Sequence, residues 1–386
     1  MIRGSRRVVD ILAKILYEVK EHHVSVDVAF KRVCRGRCVK GLEEREELYN
    51  LVKNFISDYF KLKCYVGDEE VSYRELARLW LDKKYVVVNE LYCIYSYPKW
   101  FVDELVNILG VDEVSNVLNA MNSRVWWLRV NTLRTSEESV LRELELEGVE
   151  FIVSKEVPYM VKVLNSKRPI RMLKPVKEFK VVPQDLASAV VVEALKPGFN
   201  ESIIDLTAAP GLKTSLIMML SENRAKVVAC DKSLKRLNIM RNLLKKLGVD
   251  LSKVSLIHSD STTISLRRFD KALVDAPCSN SGAVHKDPGI KLSLTKGKVL
   301  HNSIIQSKLL SNALRLADYV TFSTCSILPE EGEFIISKLD LSDVKLFRAI
   351  TWVGKGYPVV NFYESLMRLM PHIHECEGFF IATLTR

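Results

Sequence analysis

The residues best suited to chemistry in this 386-residue sequence are four aspartates and two cysteines, each close behind a short apolar run. SIIDL (202–206), KVVACD (226–231) and VSLIHS (254–259) have strand character and carry or lead to Asp205, Asp231 and Asp260. Two further runs, KALVDA (271–276) and YVTFS (319–323), exit as VDAPCSNSGAV, with Asp275, Pro277 and Cys278, and as FSTCSILPEEGE, with Cys325. Scattered cysteines are usually inert buried thiols. Two at strand exits, one beside an acid, belong to the edge of a sheet where ligands bind.

The first exit, TAAPGLKT, is built from small residues and runs straight into an apolar helix. Ala208, Ala209, Pro210 and Gly211 let a ligand approach the backbone, and free amides at a helix start bind a carboxylate. That suits the amino-acid portion of S-adenosylmethionine. Asp231, about 26 residues beyond Asp205, is placed to accept both hydroxyls of a ribose, and Asp260 to meet an adenine amino group. Each acid alone would be a surface loop residue; three on successive strands point to a nucleoside cofactor. Arg236 is a candidate contact to the cofactor, whereas Lys235 and Arg241 read as a solvated helix face.

From 181 onward, strands alternate with helical stretches at about 212–222, 233–247, 298–316 and 329–339, and GFFIATLTR is a further strand candidate. This alternation predicts an α/β fold, a doubly wound Rossmann-like sheet over 181–386. Before it, 126–180 reads as a small α+β unit: a strand, a helix capped at Ser136 and a glycine-ended exit, then strands near 161–164 and 169–173. Residues 73–125 form a helical connector, with a helix from about Lys99 to Ile108 stopped by Gly110. In 1–72 the pattern is all helical. Val8, Ile11, Leu12, Ile15, Leu16 and Val19 recur at three- and four-residue spacing, as do Leu48, Leu51, Val52, Phe55 and Ile56. Between these helices, KRVCRGRCVKG concentrates Lys31, Arg32, Arg35, Arg37 and Lys40, a stretch suited to RNA.

AAPGLKT, DAPCSNSG and STCSILPEEGE together resemble the signature segments of the RNA cytosine-5 methyltransferase family, the Nop2/NSUN/RsmB group. RVNTLR (129–134), VPQDLAS (182–188), Pro288 and RLMPHIHECEGFFIATL (368–384) extend the likeness over roughly 97–386. The helical N-terminus is further similar to the NusB-like RNA-binding domain of bacterial small-subunit rRNA members, through LEEREELYNLVKNFISDY. The sequence departs from the family at Leu212 (a second glycine in PGGKT), Asn280 (a glycine in DAPCSGSG), His285 and Lys286 (a basic pair) and Gly289 (an acid).

The resemblance implies a mechanism. C5 of cytosine is a poor nucleophile and needs covalent activation at C6. Residue chemistry leaves open which thiol attacks; the family assigns Cys325, with Cys278 assisting collapse of the adduct. Asp275 would hydrogen-bond N3 and the exocyclic amine, and Lys213 would order the loop around it. A DNA cytosine methyltransferase would take its nucleophile from the Pro-Cys segment. An amino-group methyltransferase would end the fourth strand in a Pro-Pro-aromatic segment, and a thiol redox protein would carry CxxC. A non-catalytic RNA-binding or ribosome-assembly factor would be expected to lack one of Asp205, Asp275, Cys278 or Cys325, and all four are present.

Composition agrees. Lys and Arg number 57 against 47 Asp and Glu, a net charge of +10 that suits a polyanionic partner. The expected partner is RNA, ribosomal RNA ahead of tRNA, and the expected state a monomer. Of eight cysteines only Cys34 and Cys38 are close together, so neither a zinc site nor a secreted disulfide framework is expected, and His372 and His374 read as structural. The basic-then-apolar start is interrupted by Asp10 and Lys14, and no run approaches the ~18 apolar residues of a membrane span. The expected setting is a reducing cytoplasm.

Overall fold

The computed structural model describes residues 6–35, 38 and 41–386. Arg37 and Lys40 of the basic stretch lie outside the described residues. The chain divides into two compact units, one of residues 1–124 with 279–298, the other of residues 125–278 with 299–386.

In the first unit, α1 (Arg6–Glu21), α2 (Val26–Cys34), α3 (Leu42–Ser57), α4 (Tyr59–Val66) and α5 (Tyr73–Asp82) pack around one core. The expected stripe supplies it: Leu12, Ile15, Leu16 and Val19 of α1 meet Leu48, Val52, Phe55 and Ile56 of α3. Ser72 and Glu75 close a capping box at the start of α5. Short α6 (Leu91–Ile94), α7 (Lys99–Leu109) and α8 (Val111–Asn122) follow, and Gly110 at φ +81° ends α7 as the glycine predicts. No described helix is long and apolar enough to cross a membrane.

Residues 279–298 belong to this helical unit rather than to the sheet unit on either side of them. A Cβ on Gly289 would stand 3.0 Å from Val19 and 3.1 Å from the Asp287 carboxylate, so the acid of the family pattern would need these neighbours to give way. The Asp287 carboxylate accepts from the amides of Val26 and Gly289. Lys291, 1% exposed, donates to Ser57 O and Oγ, Tyr95 O and Asn122 Oδ1, over the Tyr97 ring at 4.2 Å. Two disulfides, Cys34–Cys38 and Cys64–Cys93, lie in the same unit, although the cysteine spacing shows no secreted framework. The first joins the last residue of α2 to a cysteine four positions further on. The second depends on α4 meeting α6, which no local pattern announces.

The second unit holds two sheets. A four-stranded antiparallel sheet has the order β2-β3-β1-β4, from β1 (Trp126–Val130), β2 (Val149–Val153), β3 (Met160–Ser166) and β4 (Val181–Pro183). Helix α9 (Glu137–Leu146) starts at Ser136, whose hydroxyl accepts from Ser139 N. The strand expected over 169–173 is instead a 3-10 turn, Ile170–Met172, led by Pro169, which offers no amide to a ladder. Short α10 (Lys174–Lys177) and α11 (Leu186–Leu195) complete this stretch.

The main sheet contains β5 (Ser202–Asp205), β6 (Lys226–Asp231), β7 (Val254–His258), β8 (Phe269–Asp275) and β9 (Ala317–Thr324), all parallel, in the order β9-β8-β5-β6-β7. Helices α12 (Leu212–Leu220) and α13 (Leu234–Lys246) make the β5–β6 and β6–β7 crossovers. Short α14 (Gly289–Ser293) and long α15 (Lys296–Leu316) lie between β8 and β9 in sequence. The sheet is not purely parallel. After short α16 (Glu333–Ile336), strands β10 (Lys345–Phe347), β11 (Gly354–Lys355), β12 (Met367–Leu369) and β13 (Phe379–Thr385) add on antiparallel, with α17 (Pro371–His374) before β13. The helix expected over 329–339 is reduced to a 3-10 turn at Pro329–Glu331 and α16, divided by Gly332. The chain leaves β5 towards β6 on one side and returns to β8 on the other. That reversal is a topological switch point, the usual ligand site of such sheets.

Candidate active site

Every site residue expected from the sequence lies at the carboxyl edge of the parallel strands or in the first turns beyond it. Asp205 ends β5 fully buried; Thr214 Oγ1 donates to its Oδ2 at 2.7 Å and Thr207 N to its Oδ1. Burial pushes its carboxyl up to about 6. It braces the β5–α12 turn from within. In that turn Gly211 has φ +105°, and a Cβ there would meet Met240 at 2.8 Å, so only glycine fits. Leu212 is the first residue of α12 and has no positive φ, so leucine fits where the family pattern PGGKT has a second glycine. Asn280 has φ +61°, a left-handed conformation that asparagine adopts more readily than other side-chain-bearing residues. Two departures from the family pattern thus have a backbone explanation.

Asp231 ends β6, buried, with Oδ1 accepting from Ser233 N and Oδ2 3.3 Å from Arg236 Nη1. Arg236 also donates to Ala209 O, joining the first two strand exits. Asp260, exposed beyond β7, accepts from the Thr262 hydroxyl and amide, which hold its carboxyl below the usual range.

Asp275 ends β8, the neighbour of both β5 and β9. Lys213 Nζ donates to its Oδ2 at 2.7 Å and Ser323 Oγ to its Oδ1 at 3.1 Å, while its amide donates to Thr207 Oγ1. One turn of α12 therefore sets the acid of another strand. Beyond it, Cys278 is 9% exposed and Cys325 is more open, and their sulfurs are 3.1 Å apart. Register produces the meeting: Asp275 pairs with Ser323, so the two exits leave side by side. Cys230 and Cys376 are also buried, with burial raising the thiol of Cys230 to about 11.

Several supporting residues gave little local signal. Gln306 on α15 donates to Pro277 O at 2.9 Å and to Glu331. Thr324 Oγ1 donates to Glu331 O. Arg368, from the RLMP segment, is 1% exposed, donates to Ser326 O, Leu328 O and both Glu333 oxygens, and stacks on Tyr357 at 4.0 Å. Glu331 and Glu333 are fully buried partners in this exit. The His374 ring accepts from Met370 N at the turn before β13, a structural contact.

The sheet order and the composition of its exits define a Rossmann-like methyltransferase fold. The chain belongs to the 16S rRNA methyltransferase RsmB/F family, whose model matches residues 192–385; the ferredoxin-like domain model of RsmF/B-like methyltransferases matches 97–171. It is 29% identical over 311 residues to human 28S rRNA (cytosine(4447)-C(5))-methyltransferase, across 76% of this chain but only 38% of that protein's length. To ribosomal RNA small subunit methyltransferase B of Escherichia fergusonii it is 30% identical over 302 residues, 76% of this chain and 67% of the relative. Among solved structures, PH0851 superposes with TM-score 0.80 at 26% identity over the whole of both chains. A methyltransferase homolog from Pyrococcus horikoshii superposes with TM-score 0.68 at 29% identity, over 77% of this chain and 97% of that one.

Proposed function

We propose that this chain methylates C5 of cytosine in RNA with S-adenosylmethionine as the methyl donor, ribosomal RNA being favoured over tRNA. The observation that carries this is the Cys278–Cys325 pair, sulfurs 3.1 Å apart, beside an Asp275 held by Lys213 and Ser323. An assembly factor that had lost chemistry would not need two thiols and a braced acid at the switch point of its sheet.

The donor set fits the cofactor. Asp231 and Asp260 on adjoining strand exits match a ribose and an adenine, Ala208–Gly211 offer small side chains, and the start of α12 offers helix-end amides to a carboxylate. Bound there, S-adenosylmethionine supplies an electrophilic methyl on a sulfonium.

The chain's own groups do the rest. The Cys325 thiolate adds to C6 of the cytosine, forming a carbon–sulfur bond and shifting the C5–C6 π pair into the ring. Asp275, oriented by Lys213, holds a proton at N3 and accepts from the exocyclic amine, so charge does not build up on the base. C5 then takes the methyl. Loss of the C5 proton re-forms the C5–C6 double bond and expels the Cys325 thiolate, with Cys278 assisting this collapse.

The net charge of +10 and the likeness of 97–171 to a ferredoxin-like domain support RNA as partner. A monomer in the cytoplasm is the accompanying proposal. The two disulfides would then resemble those of intracellular hyperthermophile proteins, an exception to the usual redox rule. The test is transfer of label from radioactive S-adenosylmethionine into unmodified rRNA and tRNA transcripts, followed by nucleoside analysis. Label in 5-methylcytidine of rRNA is expected. Label in another nucleoside, or none despite cofactor binding to the chain, would overturn the reading.

A further inference from the structure

The RVNTLR segment has no part in the mechanism above, yet two of its polar residues, Arg129 and Asn131, are buried. Asn131 Nδ2 donates to Phe179 O and to Leu247 O just beyond α13, and Arg134 donates to Lys246 O at the end of α13. Arg129, on β1, goes to α12. Its Nη2 donates to Ser215 Oγ at 2.8 Å and its Nη1 to Leu212 O at 3.2 Å, and Ser215 Oγ in turn donates to Leu212 O. The guanidinium therefore grips the first turn of α12, the turn that also carries Lys213 to Asp275.

Arg129 is 0% exposed, forms no ion pair with any described carboxylate, and its Nε has no hydrogen-bond partner among the described residues. A buried cation without an anion is costly, the more so beside a helix start, where the helix dipole is already positive. Burial lowers its pKa only to about 10, so the charge persists at neutral pH. The carboxylates near this turn are engaged elsewhere, Asp205 by Thr214 and Thr207 and Asp275 by Lys213 and Ser323, and neither pairs with Arg129. An anionic ligand at the start of α12 would meet the positive potential that remains.

We propose that Arg129 is a positioning residue for the carboxylate end of the cofactor, clamping the first turn of α12 and adding a buried positive charge behind the loop 207–211. This rests on the cofactor reading above. It assigns part of the RVNTLR segment to cofactor recognition, through α12 rather than by touching the ligand.

The test compares S-adenosylhomocysteine with 5′-methylthioadenosine, a nucleoside lacking the amino-acid portion, by titration calorimetry on the full chain. Arg129→Met should weaken the first about 10-fold or more and leave the second within about 2-fold. Arg129→Lys, which keeps the charge but only one bond, should fall between. A general loosening of the fold would weaken both ligands alike, and that result, or no loss for either, overturns the proposal. If Arg129→Met does not fold, Ser215→Ala carries the same contrast: a loss of about 2–5-fold confined to S-adenosylhomocysteine is expected, and an equal loss for both overturns it. A wild-type chain that binds neither ligand would overturn the cofactor reading, and this proposal with it.

Discussion

The Lys213 ammonium lies 2.7 Å from the Asp275 carboxylate, joining the helix after β5 to the end of β8 across the switch point of the sheet. Both groups are partly shielded, so the pair is stronger than one at the surface. Ser323 holds the other oxygen, and Asp275 has little freedom to turn. A base presented to this edge meets an acid whose direction is fixed before it arrives.

Lys213→Met keeps the length of the side chain and removes the donor. Asp275 would then turn on the Ser323 contact alone. We expect kcat for methyl transfer to fall about 10²-fold, with thermal stability changed by less than about 1 kcal/mol. Steady-state kinetics with a thermal melt of the same variant checks both. Undiminished kcat would remove Lys213 from the site.

Asp205 gives a pH dependence with a defined sign. Its carboxyl is raised from 3.8 to about 6 in the folded chain, so the folded state holds this proton more tightly than the unfolded one. The resulting stabilisation is fully present below about pH 4 and is lost as the pH rises through about 6. Asp205→Asn should remove a contribution on the order of 2 kcal/mol from the pH dependence across that window. Denaturant melts at half-unit steps from pH 4 to 7 measure it. Parallel curves for the two proteins would contradict the assignment.

Arg368 and Glu333 form a buried pair, 1% and 0% exposed, that ties down the exit from Cys325. Arg368→Met leaves a carboxylate buried alone and should destabilise the chain by about 3–5 kcal/mol. Adding Glu333→Gln should recover part of that loss. A double-mutant cycle in urea reads the coupling, and strictly additive losses would mean the pair acts as two separate groups.

Lys291 is the corresponding anchor in the helical unit, with four oxygen contacts on one ammonium. Lys291→Met strands those acceptors, and we expect a loss of about 2–4 kcal/mol. Amide exchange should show reduced protection around Ser57, Tyr95 and Asn122. Unchanged protection there would mean that solvent already reaches the site.

The site is legible in the sequence where a strand ends. Asp205, Asp231, Asp260, Asp275, Cys278 and Cys325 each follow an apolar run whose period and length identify a strand, and parallel pairing brings such ends to one edge. Lys213 is legible for the same reason, at the start of the next helix. What stays hidden depends on partners far away in the chain. Arg368 and Glu333 are separated by 35 residues and look like ordinary surface charges until both are buried together. The departure of 279–298 into the helical unit is equally silent, since its apolar residues fit a loop beside β8 as well as a core with α1. Pro169 explains the one expected strand that does not form. The antiparallel additions β10 to β12 were missed because two- and three-residue strands have no readable alternation.

The most direct test of the central claim is the fate of the covalent bond between Cys325 and the base. Wild-type chain and the variants Cys278→Ala, Cys325→Ala and the double variant would be incubated with substrate RNA and S-adenosylmethionine, then separated by denaturing electrophoresis. Cys278→Ala should accumulate an RNA–protein adduct that survives denaturation. Cys325→Ala and the double variant should give none, Cys325→Ala should lose methyl transfer, and cofactor binding by that variant should change by less than about 3-fold. An adduct that persists without Cys325, or methyl transfer that survives its removal, would contradict the account.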